Sequence, residues 1–236
     1  MKKILILVFL ISTIVYPQSL LHLLFGDDWV PTMDDGLQLW LQDPYATDVW
    51  NDSSANNNDI TLYNAPTIGV DSLNGHNTLI FNGTDEEADA VFTLSTPLTI
   101  IIVFRSITWT TNDYLFDGAT VNTPHTAQFG SSPPLYYRAE WGATGLSPAV
   151  TTTYTNWTTL TTVWQGADSY IKLNETAAVT FTSTTGSAGG LTLAANGALS
   201  GNNANIEIAA VIVTTSVDDI TLLRHRRYFN KIFQHY

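Results

Sequence analysis

Hydrophobic and polar residues alternate in short segments from Asp27 almost to the end of the chain. The segments are rich in Val, Ile, Thr and aromatic residues, and Gly, Asn, Asp or Pro bounds them, which is typical of β-strands. Two segments, Leu98–Phe104 and Ile208–Val213, are nearly all apolar, so we expect strands covered on both faces at the centre of the packed layers. The segment Trp157–Trp164 alternates hydrophobic residues with threonine, which predicts a half-buried strand whose threonines face water. The predicted strands lie at Leu37–Leu41, Ile60–Tyr63, Thr78–Asn82, Leu98–Arg105, Tyr114–Asp117, Thr126–Phe129, Leu135–Trp141, Trp157–Trp164, Ser169–Leu173, Ala178–Thr182, Leu191–Ala194 and Ile206–Val213.

A single helix is predicted near the C-terminus. Ser216 can cap it, and Asp218 and Asp219 fall in its first turn, near the positive end of the helix dipole. Basic residues follow toward the negative end, where they complement the dipole, and an apolar stripe can dock on a sheet. The basic residues are Arg224, Arg226, Arg227 and Lys231, and the stripe comprises Leu222, Leu223, Tyr228, Phe229, Ile232 and Phe233. The pattern predicts an all-β fold, a two-sheet antiparallel jelly-roll sandwich with a short C-terminal helix, and a single domain over residues 27–236.

The N-terminal segment has the layout of a secretory signal peptide. Two lysines precede an almost unbroken apolar run, Ile4–Tyr16, which matches the n-region and h-region of such a peptide. We expect cleavage near Gln18, so that residues 1–18 are removed. Because apolar residues resume after Gln18, a retained hydrophobic anchor or buried helix extending to about residue 25 is the alternative. Either reading predicts an exported protein, secreted or attached to a surface.

Charge and composition restrict the partners. The 236 residues include nine Lys and Arg against 21 Asp and Glu, and no cysteine, so thiol catalysis and disulfides are excluded. An acidic surface cannot neutralise phosphates, so nucleic acid is not an expected partner, and membrane contact is expected only through the N-terminal segment if it is retained. Thirteen acidic residues fall between Asp27 and Asp89. They predict a solvated surface or, as an alternative, carboxylates that hold a calcium ion.

One acidic cluster, Asp85–Asp89, could carry hydrolytic chemistry. Retaining glycosidases need two carboxylates about 5 Å apart on one sheet face. The segment Glu87-Ala88-Asp89-Ala90-Val91-Phe92 resembles the catalytic strand of concanavalin A-like glucanases, but Phe92 stands where the last glutamate belongs. The catalytic pair is incomplete, so we expect a charged loop and no catalysis.

Aromatic residues indicate a carbohydrate-binding function instead. Sugars stack their apolar faces on Trp and Tyr beside side chains that bond hydroxyls. Three aromatic residues of the segment Leu135–Trp141 occupy both faces of one strand, so at least one must leave the core. A predicted loop holds Trp109 beside Asn112 and Asp113. The candidate carbohydrate-binding residues are Trp109, Asn112, Asp113, Tyr136, Tyr137 and Trp141.

Several segments, taken in order, resemble the bacterial laminin G-like domains of the concanavalin A-like lectin and glucanase superfamily. Gly36–Leu41 resembles their opening strand, and Val49–Asp59 resembles the Trp-x-Asp-x-Ser-Gly-x-Gly-Asn turn that follows. Asn74–Asp85 is similar to the strand that ends in Phe-x-Gly-x-Asp. Ala55 and Asn57 replace the glycines of the turn, although Asn tolerates a positive φ. Ala210 replaces an acidic residue common in the last strand, which puts any ion or ligand site there in doubt.

The resemblance implies a fold and leaves the ligand open. We expect an exported, non-catalytic carbohydrate-binding or adhesion module on a cell or particle surface. The alternative is a structural protein of a surface assembly or virion that uses the sandwich for protein contacts, and a glycoside hydrolase is a third, less favoured reading.

Overall fold

Strands dominate the computed structural model, which describes residues 28–234 apart from 121–122, 131–134, 142–146, 148, 152–154, 198 and 200. The predictions for residues 1–18 and for an anchor to residue 25 lie outside the described residues. The described residues from Pro31 onward form one compact unit. The described strands are β1 (Leu37–Gln42), β2 (Val49–Trp50), β3 (Ile60–Tyr63), β4 (Thr67–Leu73), β5 (His76–Asn82), β6 (Glu87–Val91), β7 (Leu98–Ser106), β8 (Tyr114–Asp117), β9 (Pro124–Phe129), β10 (Tyr136–Trp141), β11 (Val150–Thr151), β12 (Thr158–Trp164), β13 (Ser169–Leu173), β14 (Val179–Phe181), β15 (Gly190–Leu193) and β16 (Asn205–Thr214). Helix α1 spans Asp219–Phe233, and short 3-10 turns lie at Pro31–Met33 and Gly166–Asp168.

The strands form two antiparallel sheets, which confirms the predicted sandwich. Sheet A has the order β14-β13-β12-β7-β16-β5-β4, with β1 also paired to β16. Strand β16 is long enough to hold two partners along one edge. Its first half pairs with β5, its second half pairs with β1, and a register shift falls between Ile208 and Ala210. Sheet B has the order β11-β10-β9-β8-β15-β6-β3-β2.

Two hydrophobic clusters show which sheet faces are covered. The larger cluster fills the space between the sheets and includes Ile100 and Ile102 of β7. The smaller cluster includes Ile101 of the same strand, on its opposite face, together with Leu222 and Phe229 of α1. The central strands of sheet A are therefore buried on both faces, by sheet B and by the helix. This confirms the prediction that Leu98–Phe104 and Ile208–Val213 form covered central strands.

The prediction that the β12 threonines face water is wrong. Thr158, Thr159, Thr161 and Thr162 are each at most 5% exposed. Within β12 the hydrophobic residues do not keep a period of two, so threonines fall on both faces. Thr162 pairs with Ile100, which faces sheet B, whereas Thr161 pairs with Ile101, which faces the helix. Both faces of β12 are covered, and no threonine of this strand reaches solvent.

The helix begins where the dipole argument placed its acidic residues, but Ser216 is not its cap. The Asp218 side chain accepts a hydrogen bond from the Thr221 N–H at 2.9 Å and serves as N-cap. The Ser216 hydroxyl instead donates to the buried Asp34 carboxylate at 2.6 Å. Nothing in the described part of the chain has both the length and the apolar character of a membrane-crossing helix.

The turn that resembles the laminin G-like motif is organised by one carboxylate. Asp52 accepts hydrogen bonds from the Trp40, Ser54 and Asn58 N–H groups at 2.8 to 2.9 Å and from the Ser54 hydroxyl at 2.7 Å. Asn57 stands where the family has glycine, and its φ of 56° shows that asparagine takes over the left-handed conformation.

Candidate carbohydrate-binding surface

The outer face of sheet B is the face that the described helix does not cover. Alternation along β10 places Tyr137 and Ala139 in the core between the sheets, so Tyr136, Arg138 and Glu140 point outward. On β6 the same alternation turns Ala88 and Ala90 inward and the carboxylates outward. The sequence therefore builds one face for packing and one for contact with solvent or a ligand.

A row of polar side chains crosses this outer face. The strand register aligns Thr61, Asp89, Thr192 and Asp117 across four strands. The Thr192 hydroxyl donates to Asp89 at 3.0 Å. Asp117 is fully buried and accepts the Gly118 and Gly197 N–H groups at 2.8 and 3.0 Å. The side chains of Asp89, Thr192 and Asp117 are thus engaged in hydrogen bonds within the protein.

The acidic cluster Asp85–Asp89 is only partly the expected charged loop: Asp85 and Glu86 precede β6, whereas Glu87 and Asp89 lie on it. Glu87 is 9% exposed and accepts a hydrogen bond from the Asn203 amide at 3.2 Å. Burial raises the pKa of the Glu87 carboxyl and also that of Asp89, against the hydrogen bonds that these carboxylates accept. Phe92, at the position of the missing glutamate, packs partly buried against the core between the sheets.

An aromatic platform lies at the β9–β10 edge of the same face. The Phe129 and Tyr136 rings pair across the two strands, with their centroids 6.0 Å apart and their planes only 10° from parallel. The Arg138 guanidinium carbon lies 4.9 Å from the Phe129 ring centre and 5.7 Å from that of Tyr136. Glu140 follows on the strand, 3.8 Å from Arg138 Nη1 and 3.3 Å from His125 Nε2. We call Phe129, Tyr136, Arg138 and Glu140 the aromatic patch.

The predicted loop around Trp109 is fastened to the neighbouring strand. Its ring N–H donates to the Gly130 carbonyl at 2.9 Å, and the ring packs against the core 5.1 Å from Tyr137. Asn112 is exposed and donates its N–H to the Gln128 carbonyl at 2.7 Å. Burial raises the pKa of the Asp113 carboxyl to about 6, although a hydrogen bond from Thr110 opposes the shift. The loop therefore ends beside β9, and β9 also pairs with β10, the strand that carries Tyr136.

Of the three aromatic residues predicted on β10, one leaves the core and two do not. Tyr136 is half-buried on the outer face. Tyr137 is 1% exposed, and its hydroxyl lies 3.0 Å from the Ser106 hydroxyl. Trp141 is 8% exposed within the core between the sheets. Buried rings cannot stack on a sugar while the sandwich is closed, so Tyr136 is the aromatic residue of this strand that a ligand can reach, and Tyr137 and Trp141 are not.

Sequence reasoning missed most of the aromatic patch. The sequence pattern predicts strand positions for Phe129, Arg138 and Glu140 and no functional role. A period of two along β10 nevertheless aligns Arg138 and Glu140 with Tyr136. For the calcium alternative, the described residues contain no group of three or more His, Asp or Glu side chains placed to hold a metal ion.

No protein-family model and no curated protein matches the chain. Solved structures do match its fold. Trypanosoma rangeli sialidase in complex with the inhibitor DANA gives a TM-score of 0.55 at 10% identity, over 80% of this chain and 32% of that one. The binding domain of botulinum neurotoxin DC in complex with SialylT gives 0.56 at 14%, over 81% and 51%. Domain 4 of a GH43 extracellular arabinanase from Geobacillus stearothermophilus, in complex with arabinotriose, gives 0.60 at 13%, over 81% and 98%.

These similarities establish the β-sandwich fold. The chain spans about a third of the sialidase chain and half of the neurotoxin chain, but corresponds to nearly the whole arabinanase domain. At 10–14% identity, the shared feature is the arrangement of strands.

Proposed function

We propose that the protein is an exported, non-catalytic carbohydrate-binding module of the laminin G-like type, and that it binds glycan at the aromatic patch. One observation carries the proposal: a nearly parallel pair of rings, Phe129 and Tyr136, lies partly exposed on the outer face of sheet B, which the described helix does not cover. A pair that served only the core would be buried between the sheets, as Tyr137 is.

The solved neighbours support a glycan as the ligand class. The arabinanase domain was solved with arabinotriose, and the cell entry of botulinum neurotoxin type C depends on two ganglioside molecules. Both are β-sandwiches of the kind described here. The match covers 81% of the present chain and 98% of the arabinanase domain, which is domain 4 of that enzyme.

The patch offers the two kinds of contact that sugars require. A pyranose ring can stack on Tyr136, while Arg138 and Glu140 donate and accept hydrogen bonds at its hydroxyls. Asn112 and Asp113 lie at the same end of the sheet and can extend the site. Because cross-strand pairing already fixes these side chains, little rotamer entropy is lost when the ligand binds.

A glycan array followed by titration of the hits tests the proposal. We expect Tyr136→Ala to weaken binding at least tenfold, as loss of a stacked ring does at aromatic–base contacts. Tyr45→Ala is the matched control, because Tyr45 is 71% exposed in the β1–β2 connection and should leave binding unchanged. Array hits that bind Tyr136→Ala as tightly as the wild type would place the site elsewhere.

Export is part of the proposal and rests on the apolar run Ile4–Tyr16. Secretion of the full chain, with mass spectrometry of the mature N-terminus, tests it. A protein that binds no glycan but forms defined assemblies through its sandwich would instead favour the structural role in a surface particle.

A further inference from the structure

Arg138 holds a guanidinium whose hydrogen-bond donors the described protein leaves unused. Its Nε is buried without a hydrogen-bond partner. Its nearest carboxylate oxygen, on Glu140, lies 3.8 Å from Nη1, beyond hydrogen-bond distance. The side chain is only 29% exposed, and the two ring faces beneath it hold the group in place.

Two other partly buried cations, Arg105 and Lys172, donate hydrogen bonds to carboxylates. Arg105 donates from Nε and Nη2 to Glu207 at 2.7 and 2.6 Å. Lys172 donates to Glu175 at 3.1 Å. Arg226 Nε, which is also buried without a hydrogen-bond partner, lies 3.5 Å from the same Glu175 carboxylate. Arg138 differs from Arg105 and Lys172 because the carboxylate near it lies beyond hydrogen-bond distance and its other described contacts are aromatic rings. A guanidinium has five donors in a fixed fork that matches a carboxylate in two parallel hydrogen bonds.

The surrounding charges decide whether an acidic ligand is tolerated. Glu140 is the near carboxylate, and its other oxygen lies 3.3 Å from His125 Nε2. Asp117 is on β8, two strands away from β10, which is roughly 10 Å at about 4.8 Å per strand. Asp89 is two strands further. Coulomb repulsion falls with distance, so Asp117 and Asp89 oppose an acidic ligand less than Glu140 does, whose carboxylate lies 3.8 Å from Arg138 Nη1. The two-point contact with Arg138 must therefore outweigh mainly the repulsion from Glu140.

We propose that the glycan bound at the aromatic patch carries a carboxylate, which Arg138 recognises through its Nη atoms while the sugar ring contacts Tyr136. The inference rests on the proposed function and adds its ligand class, an acidic sugar. The alternative role for Arg138 is to clamp the two rings by cation–π contact alone, in which case its loss weakens neutral and acidic glycans equally.

The experiment compares acidic oligosaccharides with their carboxyl-reduced forms. Sialyllactose and oligogalacturonate, each paired with the same sugar reduced to the alcohol, are titrated against wild type, Arg138→Gln and Arg138→Lys. We expect at least one acidic form to bind the wild type tenfold or more tighter than its reduced partner. Arg138→Gln should abolish that preference, and Arg138→Lys, which keeps the charge but loses the fork, should retain only part of it. Raising NaCl from about 50 to about 500 mM should weaken the acidic form alone.

The possible failures are distinct. Reduced and acidic forms that bind equally, or a preference that survives Arg138→Gln, overturn the inference while glycan binding stands. Absence of binding by both forms and by every neutral glycan of the array overturns the proposed function and the inference together. Urea midpoints of both variants within the wild-type range confirm that the comparison concerns folded protein.

Discussion

Glu207 provides the sharpest test of how the sandwich tolerates charge inside a covered sheet. It lies on the central strand β16 and is 1% exposed. Its Oε1 accepts the Ser72 and Thr78 hydroxyls at 2.6 Å, and its Oε2 accepts Nε and Nη2 of Arg105 at 2.7 and 2.6 Å. Arg105→Met removes the cation and both donors to Oε2, and keeps much of the aliphatic stem.

The magnitude follows from these contacts. Removing one partner of a buried ion pair typically costs about 3–5 kcal/mol, because the remaining charge has no compensation. The Arg105 side chain is 39% exposed, so water can reach the vacated position and reduce this cost. The variant also loses a cation–π contact with Trp157, at 5.2 Å, worth about 0.5–1 kcal/mol at an exposed site. We expect a net loss of about 3 kcal/mol in the free energy of unfolding.

Urea unfolding followed by tryptophan fluorescence measures this loss, with Arg227→Met on the exposed face of α1 as the control. The control should change stability by about 0.5 kcal/mol or less. Glu207→Gln removes the carboxylate charge that Arg105→Met leaves without a cation. The double variant should therefore lose at least about 1.5 kcal/mol less unfolding free energy than the two single losses added together. A loss below about 1 kcal/mol for Arg105→Met, or additive losses, would refute the reasoning.

Three further outcomes follow from the described contacts. Tyr137→Ala should lose about 3–5 kcal/mol by opening a cavity between the sheets, whereas Tyr137→Phe should lose only about 1 kcal/mol with its hydroxyl contact; urea unfolding distinguishes them. Burial lowers the pKa of the His225 imidazole below its ordinary 6.5, so the unfolded chain takes up a proton first and stability should fall as pH drops below about 6.5, a slope that His225→Gln should flatten. Ala65 has a φ of 57°, so Ala65→Gly should raise the unfolding free energy by about 0.5–1 kcal/mol.

Each of these outcomes has a contrary result. Equal losses for the two Tyr137 variants would mean that the cavity is not the cause. Asp34 adds a second decrease in the unfolding free energy at lower pH. Hydrogen bonds led by that from His225 outweigh burial and lower the pKa of its carboxyl. That contribution is present above pH 3.8 and is lost as pH falls further. Because Asp113, whose pKa is raised, opposes these slopes in every variant, the difference between wild type and His225→Gln is the measure, and parallel profiles from pH 7 to 3 would contradict the His225 assignment. A destabilised Ala65→Gly would show that its side chain makes a contact that outweighs the strain.

The hydrophobic pattern predicted the packed core well, because strands with covered faces have long apolar segments. The strands it did not predict are β2, β4, β6 and β11. Strands β2 and β11 are only two residues long, and β4 contains Gly69 and an Asp71 with a φ of 50°. In β6 the inward residues are alanines, whose weak hydrophobic signal is hidden by the carboxylates between them.

The candidate site was predictable only in part. Aromatic residues on both faces of one strand required that a ring leave the core, and Tyr136 does. Its stacking partner Phe129 lies on a different strand, and only the register of β9 against β10 brings the rings together. Register depends on the connection between these strands and on packing across the sheets, which composition and periodicity do not report.

The unequal covering of the two sheets has a consequence for evolutionary divergence. Substitutions in β7 or β16 meet packed neighbours on both sheet faces, so these strands accept only side chains of similar size and shape. The outward residues of β10, Tyr136, Arg138 and Glu140, sit between inward neighbours that hold the strand in place, so they can be exchanged without disturbing the core between the sheets. Recognition can therefore change while the architecture persists, consistent with a common strand arrangement at 10–14% identity.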